Sequence, residues 1–165
     1  MNIRPEVPAD ATTIANITAA AFEGHPHSTG IEVAIINGLR SSNALTISLV
    51  AEFAGRVIGH IAFSPVTISS GTSGWFGLGP VSVEPSSQGQ GVGSALIREG
   101  LSTLRKAGAA GCVLVGEPAY YERFGFRAGL GLTYPGLPPE YFMSLSFSDH
   151  LPTGVVTYHA AFSEP

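Results

Sequence analysis

The sequence predicts an α/β domain in which helices flank a mixed β-sheet. "TISLVAEF" and "RVIGHIAFSPVTI" alternate apolar and polar residues on either side of Ala54-Gly55, as the strands of an antiparallel hairpin do. Later in the chain, a strand, a glycine-rich loop, an amphipathic helix and a second apolar strand follow one another, which is the order of a βαβ unit. Together, these two stretches predict one sheet with both antiparallel and parallel neighbours.

The N-terminal segment predicts one short strand and two helices. The strand covers Asn2 to Arg4, and Pro8 and Asp10 are typical of the first turn of a helix. The apolar residues that follow at helical spacing are Ile14, Ile17 and Ala21. A second helix is predicted from Glu32 to Arg40, and "EGHPHSTG" between the helices has the glycine and proline of a loop.

The third predicted strand, "WFGLGPVSVEP", contains residues that disturb a regular ladder. Pro80 has no N–H to donate to a neighbouring strand, and Gly77 and Gly79 have no side chain to pack. We therefore expect a bulge near Gly79 and Pro80.

The glycine loop is followed by a clear amphipathic helix. Its apolar stripe consists of Val92, Leu96, Ile97, Leu101 and Leu104. Lys106 and Gly108 are typical of a helix end, and "GCVLVG" then reads as a buried strand. Nearer the C-terminus, "MSLSF" and "VVTYHAAF" alternate and are expected to pair as terminal strands.

The composition excludes several classes of protein. The chain has 165 residues, of which 44% are hydrophobic and 12% charged, so one compact domain over residues 1–165 is expected. The formal net charge is −4 and no basic cluster is present, which argues against a nucleic-acid partner. No apolar run approaches the roughly 18 residues that a membrane helix needs, so no membrane partner is expected either.

Cys112 is the single cysteine, which rules out an internal disulfide bond. A cytoplasmic location fits this cysteine usage and an N-terminus without the pattern of a signal peptide. In a buried strand, Cys112 is expected to behave as a small hydrophobic residue, although an acetyl-cysteine intermediate is the functional alternative. The scattered histidines form no metal-binding motif, and no metal is expected.

The loop in "VEPSSQGQGVGSALI" predicts an anion site, because a helix N-terminus presents unpaired amides and the positive end of its dipole. No Gly-Lys-Ser/Thr follows, so it is not a Walker loop. The dinucleotide fingerprint also fails, since Ser94 or Leu96 stands where its third glycine belongs.

The loop resembles the phosphate loop of the GNAT acetyltransferase superfamily, whose Gln/Arg-x-x-Gly-x-Gly/Ala pattern is met by Gln88, Gly91 and Gly93. The bulge-prone strand before it, the helix after it, and "YYERFGF" support the resemblance. "LGPVSV" and "GEPAYYERFGF" are most similar to small bacterial members whose substrates are mostly unassigned. The resemblance implies a GNAT fold, with a mostly antiparallel central sheet and a bulged strand before the loop.

The resemblance further implies that acetyl-CoA is the cosubstrate and that a primary amine, on a small molecule or a peptide, attacks its thioester. Tyr121 matches the family's tyrosine in Tyr-x-x-x-Gly-Phe and would protonate the leaving thiolate. The implied cofactor contacts are Val81, Ser82 and Val83 for the pantetheine arm, and Gln88, Gly89, Gln90, Gly91, Val92, Gly93 and Ser94 for the pyrophosphate. A homodimer is compatible with the resemblance.

The base that would deprotonate the amine is not evident. Many relatives have a carboxylate on the strand before the loop, whereas this strand offers none before Glu84. The candidates are Glu52, His60, His25, His27 and Glu117. The missing carboxylate keeps a catalytically idle acyl-CoA-binding module open as an alternative, and the glycine loop keeps a nucleotide-binding domain open as another.

Overall fold

The structure is a computed structural model that describes residues 1–24 and 30–163. Its helices and longer strands lie close to the predicted positions. The helices are α1 (Ala11–Phe22), α2 (Glu32–Ser41), α3 (Val92–Lys106) and α4 (Pro118–Tyr121). The strands are β1 (Asn2–Pro5), β2 (Ile47–Phe53), β3 (Arg56–Pro65), β4 (Thr67–Ile68), β5 (Trp75–Val83), β6 (Gly111–Val115), β7 (Arg127–Ala128), β8 (Leu132–Thr133), β9 (Phe142–Ser146) and β10 (Gly154–Thr157).

Within the described residues, seven strands form one sheet in the order β1-β2-β3-β5-β6-β9-β7. Neighbours in this sheet are antiparallel except for β5 and β6, which are parallel and joined by α3. The predicted hairpin is confirmed, with Ala54 and Gly55 at φ values of 54° and 76° in its two-residue turn. Positive φ at both positions matches the twist of the flanking strands.

Two helical layers cover the sheet. On one face, α3 packs its predicted stripe against β2, β3 and β5 over the largest apolar core, which includes Leu49, Ile61, Phe63 and Leu96. On the other face, α1 and α2 pack against β2 and β3 through a smaller apolar cluster: Ile14, Ile17, Ile36, Val50 and Val57. Consecutive side chains of a strand therefore alternate between two differently covered faces.

Three local expectations need correction. Pro8 and Asp10 form a separate 3₁₀ turn at Pro8–Asp10 ahead of α1. The strand predicted through "RVIGHIAFSPVTI" breaks at Val66 into β3 and β4. The C-terminal strands do not pair with each other, because β9 lies between β6 and β7 in the main sheet, whereas β10 joins β4 and β8 in a separate three-stranded sheet.

Candidate active site

Strands β5 and β6 diverge at the centre of the sheet. Their parallel pairing covers Trp75, Phe76 and Gly77 and ends at Gly77 opposite Val113. The pairing of β5 with β3 continues to Val83, across a register shift in which Gly79 and Pro80 lie opposite Ala62 alone. The bulge predicted at Gly79 and Pro80 is thus confirmed, and the Gly79–Pro80 peptide bond is cis. Beyond Gly77, one edge of β5 faces a gap instead of β6.

The backbone N–H and C=O groups of alternate β5 residues point toward this gap. Glu84 donates its N–H to the carbonyl of Ile58 at 2.8 Å, so Glu84 and then Ser82 direct their peptide groups at β3. The N–H and C=O groups of Val81 and Val83 consequently point away from β3, into the gap. The Gln88 side chain already donates to the carbonyl of Val83 at 3.0 Å.

The side chains of Val81, Ser82 and Val83 alternate between the two faces of the sheet. Val81 and Val83 pack against the apolar core beneath α3. Ser82 is buried on the opposite face, where its hydroxyl lies 3.4 Å from the hydroxyl of Thr18 on α1. Of the predicted pantetheine contacts, Val81 and Val83 therefore have the backbone orientation for that role, whereas the peptide group of Ser82 is directed at β3.

The predicted phosphate loop connects β5 to the N-terminus of α3. Gly89 and Gly91 have φ values of 77° and 85°, a region that L side chains disfavour, and Gly91 is the last residue before the helix. A Cβ atom added at either glycine would have no neighbour within 4 Å, so both face open space. The N–H groups of Val92, Gly93 and Ser94 belong to the first helical turn and are free of intrahelical partners.

A cavity of about 320 Å³ lies between this loop and the segment after β6. Its lining residues are Val83, Ser87, Gln88, Gly89, Gly91, Val92, Gly93, Ser94, Tyr120 and Arg123. Six of the seven predicted loop residues line it, and the seventh, Gln90, hydrogen-bonds through its side chain to the Ser86 carbonyl at 3.5 Å. Tyr120 and Arg123 on the opposite wall were missed by the sequence analysis, which interpreted only the neighbouring Tyr121.

Tyr121 is the last residue of α4 and is partly buried near the end of β6. Its ring packs so closely on Gly116 that an added Cβ there would lie 2.5 Å from Tyr121 Cε2. It also contacts Phe126 edge to face, with ring centroids 6.3 Å apart. Burial raises the pKa of the Tyr121 hydroxyl to about 12, so the group is protonated near neutral pH and can donate a hydrogen bond.

Two of the base candidates are held in polar contacts on the α1 face or at its edge. His60 is fully buried, with Nε2 at 2.7 Å from the hydroxyl of Ser48. Burial lowers the pKa of His60 to about 4, although the nearby Glu6 carboxylate opposes that shift. Glu52 accepts a hydrogen bond from Arg4 at 3.1 Å in a half-buried salt bridge.

The remaining base candidates lie elsewhere. Glu117 is exposed, and its carbonyl accepts the backbone N–H groups of Tyr120 and Tyr121, both at 3.1 Å. His25 and His27 lie outside the described residues. The structure therefore brings no base candidate among the described residues into the lining of the loop cavity.

A partly buried chain of polar side chains on the α1 face was not predicted from the sequence. Arg40 forms a salt bridge with Glu6 at 3.1 Å, and Glu6 accepts a hydrogen bond from Ser48, which contacts His60. Burial favours protonation of Glu6, but hydrogen bonds from Arg40 and Ser48 outweigh it and lower the pKa of this carboxyl. The only sequence signal was the period-two appearance of polar residues in the otherwise apolar strands β2 and β3.

Three buried polar atoms have no hydrogen-bond partner among the described residues: His60 Nδ1, Ser64 Oγ and Tyr158 Oη. His60 and Ser64 lie four residues apart on β3 and so share a face. Tyr158 packs against Gly77, the residue opposite Ser64, since a Cβ added at Gly77 would lie 2.9 Å from its ring. The same sheet face thus carries all three atoms beside the β5 bulge.

Cys112 is buried as predicted. Burial raises the pKa of its thiol far above the usual range, which disfavours the thiolate that an acetyl-cysteine intermediate would require. Within residues 1–24 and 30–163, no group of three His, Cys, Asp or Glu side chains could hold a metal ion. None of the helices in that same part of the chain combines the length and apolar character needed to cross a membrane.

Comparison with known proteins agrees with this geometry. Residues 45–128 match the acetyltransferase (GNAT) domain family. The chain is 36% identical to YhbS, an uncharacterized N-acetyltransferase of Escherichia coli K12, over 99% of both chains. It is also 32% identical to the uncharacterized N-acetyltransferase YjhQ of the same strain, over 74% of this chain and 67% of YjhQ.

Two crystal structures are similar over nearly the whole chain. A GNAT family acetyltransferase from Brucella melitensis, in complex with acetyl-CoA, is 52% identical with a TM-score of 0.88, covering 98% of this chain and 97% of that one. YhbS from E. coli, in complex with CoA, is 35% identical with a TM-score of 0.90, covering 99% and 92%. Fold, loop and relatives agree, and the chain belongs to the GNAT family of acetyltransferases.

Proposed function

We propose that this protein transfers the acetyl group of acetyl-CoA to a primary amine by direct attack of the amine on the thioester. The observation that supports this proposal most strongly is the divergence of β5 from β6 directly before the phosphate loop. It leaves a strand edge and a helix N-terminus side by side, which suits a ligand with an amide-containing arm and a pyrophosphate. The similar structures in complex with acetyl-CoA and CoA support the same ligand here.

In this proposal, the cofactor lies along the gap from the loop to the bulge. The pyrophosphate accepts hydrogen bonds from backbone N–H groups between Gln88 and Ser94, where the α3 dipole favours negative charge. The pantetheine amides pair with the free edge of β5 at Val81 and Val83. The thioester then lies near the bulge at Gly79 and Pro80.

The chemistry requires two hydrogen-bond donors. When the amine nitrogen attacks the carbonyl carbon, negative charge develops on the thioester oxygen, and an N–H directed into the gap near Val81 stabilises it. As the C–S bond breaks, the departing sulfur takes the proton of the Tyr121 hydroxyl or a hydrogen bond from it. A tyrosine with a pKa of about 12 is a suitable donor because it is almost fully protonated at neutral pH.

We further propose that no single side chain is an indispensable base. Strand β5 contains no carboxylate, and Glu52 and His60 are engaged by Arg4 and Ser48. An ammonium group that enters an apolar environment is destabilised relative to the free amine, so desolvation shifts part of the proton removal to the pocket itself. Water accepts the proton that the amine loses and returns a proton to Tyr121 after the thiol has formed.

The second candidate function is an acyl-CoA-binding module without turnover, and the absence of a carboxylate from β5 favours it. Thermal shift with acetyl-CoA, CoA, NAD and ATP tests the ligand, and thiol release across a library of small amines and peptide N-termini tests the activity. We expect stabilisation by acetyl-CoA and CoA only, and thiol release with at least one amine. Acetyl-CoA binding without release from any amine would favour the binding module, and stabilisation by NAD or ATP instead would overturn both.

A further inference from the structure

Arg123 lies on the cavity wall that faces the phosphate loop. It belongs to the 3₁₀ turn Glu122–Phe124 directly after α4, and it lines the cavity together with Gly91 and Gly93. Its guanidinium carbon lies 4.5 Å from the centre of the Tyr120 ring, and its Nε donates to the Tyr120 carbonyl at 2.8 Å. These two contacts hold the long side chain against α4.

Tyr120 extends this wall toward the loop. A Cβ atom added at Gly93 would lie 3.8 Å from the Tyr120 hydroxyl, so the tyrosine reaches across the cavity to the first turn of α3. The ring that supports Arg123 is therefore the same ring that closes one side of the loop cavity. Arg123 and Tyr120 thus form one wall of the cavity opposite the loop.

The loop itself carries no positive side chain. The sequence from Trp75 to Ile97 contains neither lysine nor arginine, so amides and the helix dipole alone would face a ligand with several phosphate charges. Three of the other arginines, Arg4, Arg40 and Arg56, form salt bridges with carboxylates. The remaining three do not line the cavity: Arg98, Arg105 and Arg127. Arg123 is exposed and pairs with no carboxylate in the described part of the chain.

We propose that Arg123, supported by the ring of Tyr120, is the cation of the cofactor site and binds phosphate oxygens of acyl-CoA opposite the loop. A guanidinium presents several N–H donors in a fork that matches the oxygens of a phosphate. Its contacts with Tyr120 restrict its conformations before binding, which lowers the entropy lost on contact with the ligand. This inference rests on the proposed function and adds a specific residue to it.

Calorimetric titration of acetyl-CoA and of its 3′-dephospho form into wild type and Arg123→Gln tests the proposal. We expect Arg123→Gln to weaken acetyl-CoA about tenfold at low salt, and to flatten the dependence of affinity on salt. An equal loss with the dephospho form assigns Arg123 to the pyrophosphate, and a loss confined to acetyl-CoA assigns it to the 3′-phosphate. Arg123→Lys, which keeps the charge but not the fork, should recover part of the affinity.

Arg98 provides a matched control. It is an exposed arginine on α3 that also lies over an aromatic ring of this segment, 4.9 Å from the centre of Phe124, but it does not line the cavity. Arg98→Gln should bind acetyl-CoA as wild type does. Equal affinity of wild type and Arg123→Gln for acetyl-CoA, or an equal loss of affinity in Arg98→Gln, would overturn the assignment of Arg123 and leave the proposed function standing. A wild-type protein that does not bind acetyl-CoA would overturn both.

Discussion

The two faces of the main sheet bury their side chains in different ways. Beneath α3 the core is almost wholly apolar, and the polar groups of interest lie at its rim, in the loop and on α4. On the α1 side the sheet buries the polar side chains of His60, Ser64 and Ser82, and Ser82 lies against the buried Thr18 of α1. An apolar face fixes the position of a strand edge and a helix end by packing alone, whereas a polar face depends on every donor meeting an acceptor.

This difference separates the two kinds of chemistry that we propose. In the proposed mechanism the cofactor contacts and the proton donor are on the α3 face, where apolar contacts hold β5 and Tyr121. The α1 face contains titratable groups that look catalytic by residue type, yet Glu6, Glu52 and His60 are each engaged by another side chain. Substitutions on the two faces should therefore affect different measured quantities.

Tyr121→Phe should give the largest effect on turnover. The change removes one hydroxyl and leaves the ring packed on Gly116, so we expect kcat to fall about ten- to a thousandfold with little change in acetyl-CoA affinity. Steady-state kinetics with one true amine substrate and a calorimetric titration measure the two quantities. Tyr141→Phe is the control: this tyrosine is exposed and does not line the cavity, so its kcat should stay within about threefold of wild type. A fully active Tyr121→Phe would make Tyr121 a structural residue.

Gly91→Asp should abolish much of the cofactor affinity. An aspartate there places a side chain and a negative charge where the pyrophosphate would approach, so acetyl-CoA should bind at least about tenfold more weakly, or roughly 1.4 kcal/mol. An aspartate at a φ of 85° is also strained and lowers the stability of the protein. Gly71→Asp is the control for this strain, because Gly71 has a φ of 84° in a turn that does not line the cavity. Both variants should lose similar stability, but only Gly91→Asp should lose affinity. Unchanged affinity in a folded Gly91→Asp protein would contradict the loop assignment.

On the α1 face, the titration of His60 should make the stability of the protein depend on pH. Because its folded-state pKa of about 4 lies below the ordinary value of 6.5, the unfolded chain binds the proton more readily, and stability falls as pH drops through this window. The full shift corresponds to about 3 kcal/mol in the free energy of unfolding. This contribution is present above pH 6.5 and is lost as the pH falls toward about 4. Glu6 and Asp10, whose pKa values are lowered, lose their contributions at still lower pH.

Urea unfolding of wild type and His60→Gln between about pH 7.5 and about pH 4.5 measures this contribution. The wild-type free energy of unfolding should decrease more steeply toward acid than that of the variant, because glutamine does not titrate. Parallel curves for the two proteins would mean that His60 is not held neutral by burial.

The smallest effects should come from the base candidates. Glu52→Gln, His60→Gln and Glu117→Gln should each keep kcat/KM within about threefold of wild type, with kcat/KM rising toward the pKa of the amine. A pH profile of each variant with one substrate measures this. If one substitution alone abolishes turnover while acetyl-CoA still binds, that residue is the base, and the α1 face then contributes to catalysis.

The α3 face could be predicted from the sequence because its determinants are local. The apolar residues from Val92 to Leu104 recur at helical spacing, which predicts a helix without knowledge of its neighbours. Gly79 and Pro80 disturb regular strand pairing at any position in a sheet, so the irregularity could also be predicted locally. The two tyrosines show the limit of such arguments. Tyr120 and Tyr121 are adjacent in the sequence, yet only the direction of the short α4 places one beside the loop and the other against Gly116.

The α1 face could not be predicted because it is built from distant parts of the chain. The salt bridge of Arg40 with Glu6 and the contact of Ser48 with His60 depend on how α2 and three strands assemble. The predicted pairing of the C-terminal strands was wrong for a related reason. Alternation shows that a segment is a strand with two unlike faces, but it does not identify the partner strand, and β10 pairs with the two-residue strands β4 and β8.

Amide hydrogen exchange at single-residue resolution, with and without acetyl-CoA, tests the central claim that the free edge of β5 binds the cofactor. The account predicts slower exchange on binding at Val81, at Val83 and at the loop amides from Gln88 to Ser94. Ser82, whose N–H is directed at β3, should change little. Protection of Ser82 without Val81 and Val83, or binding of acetyl-CoA with no protection along β5, would contradict the claim.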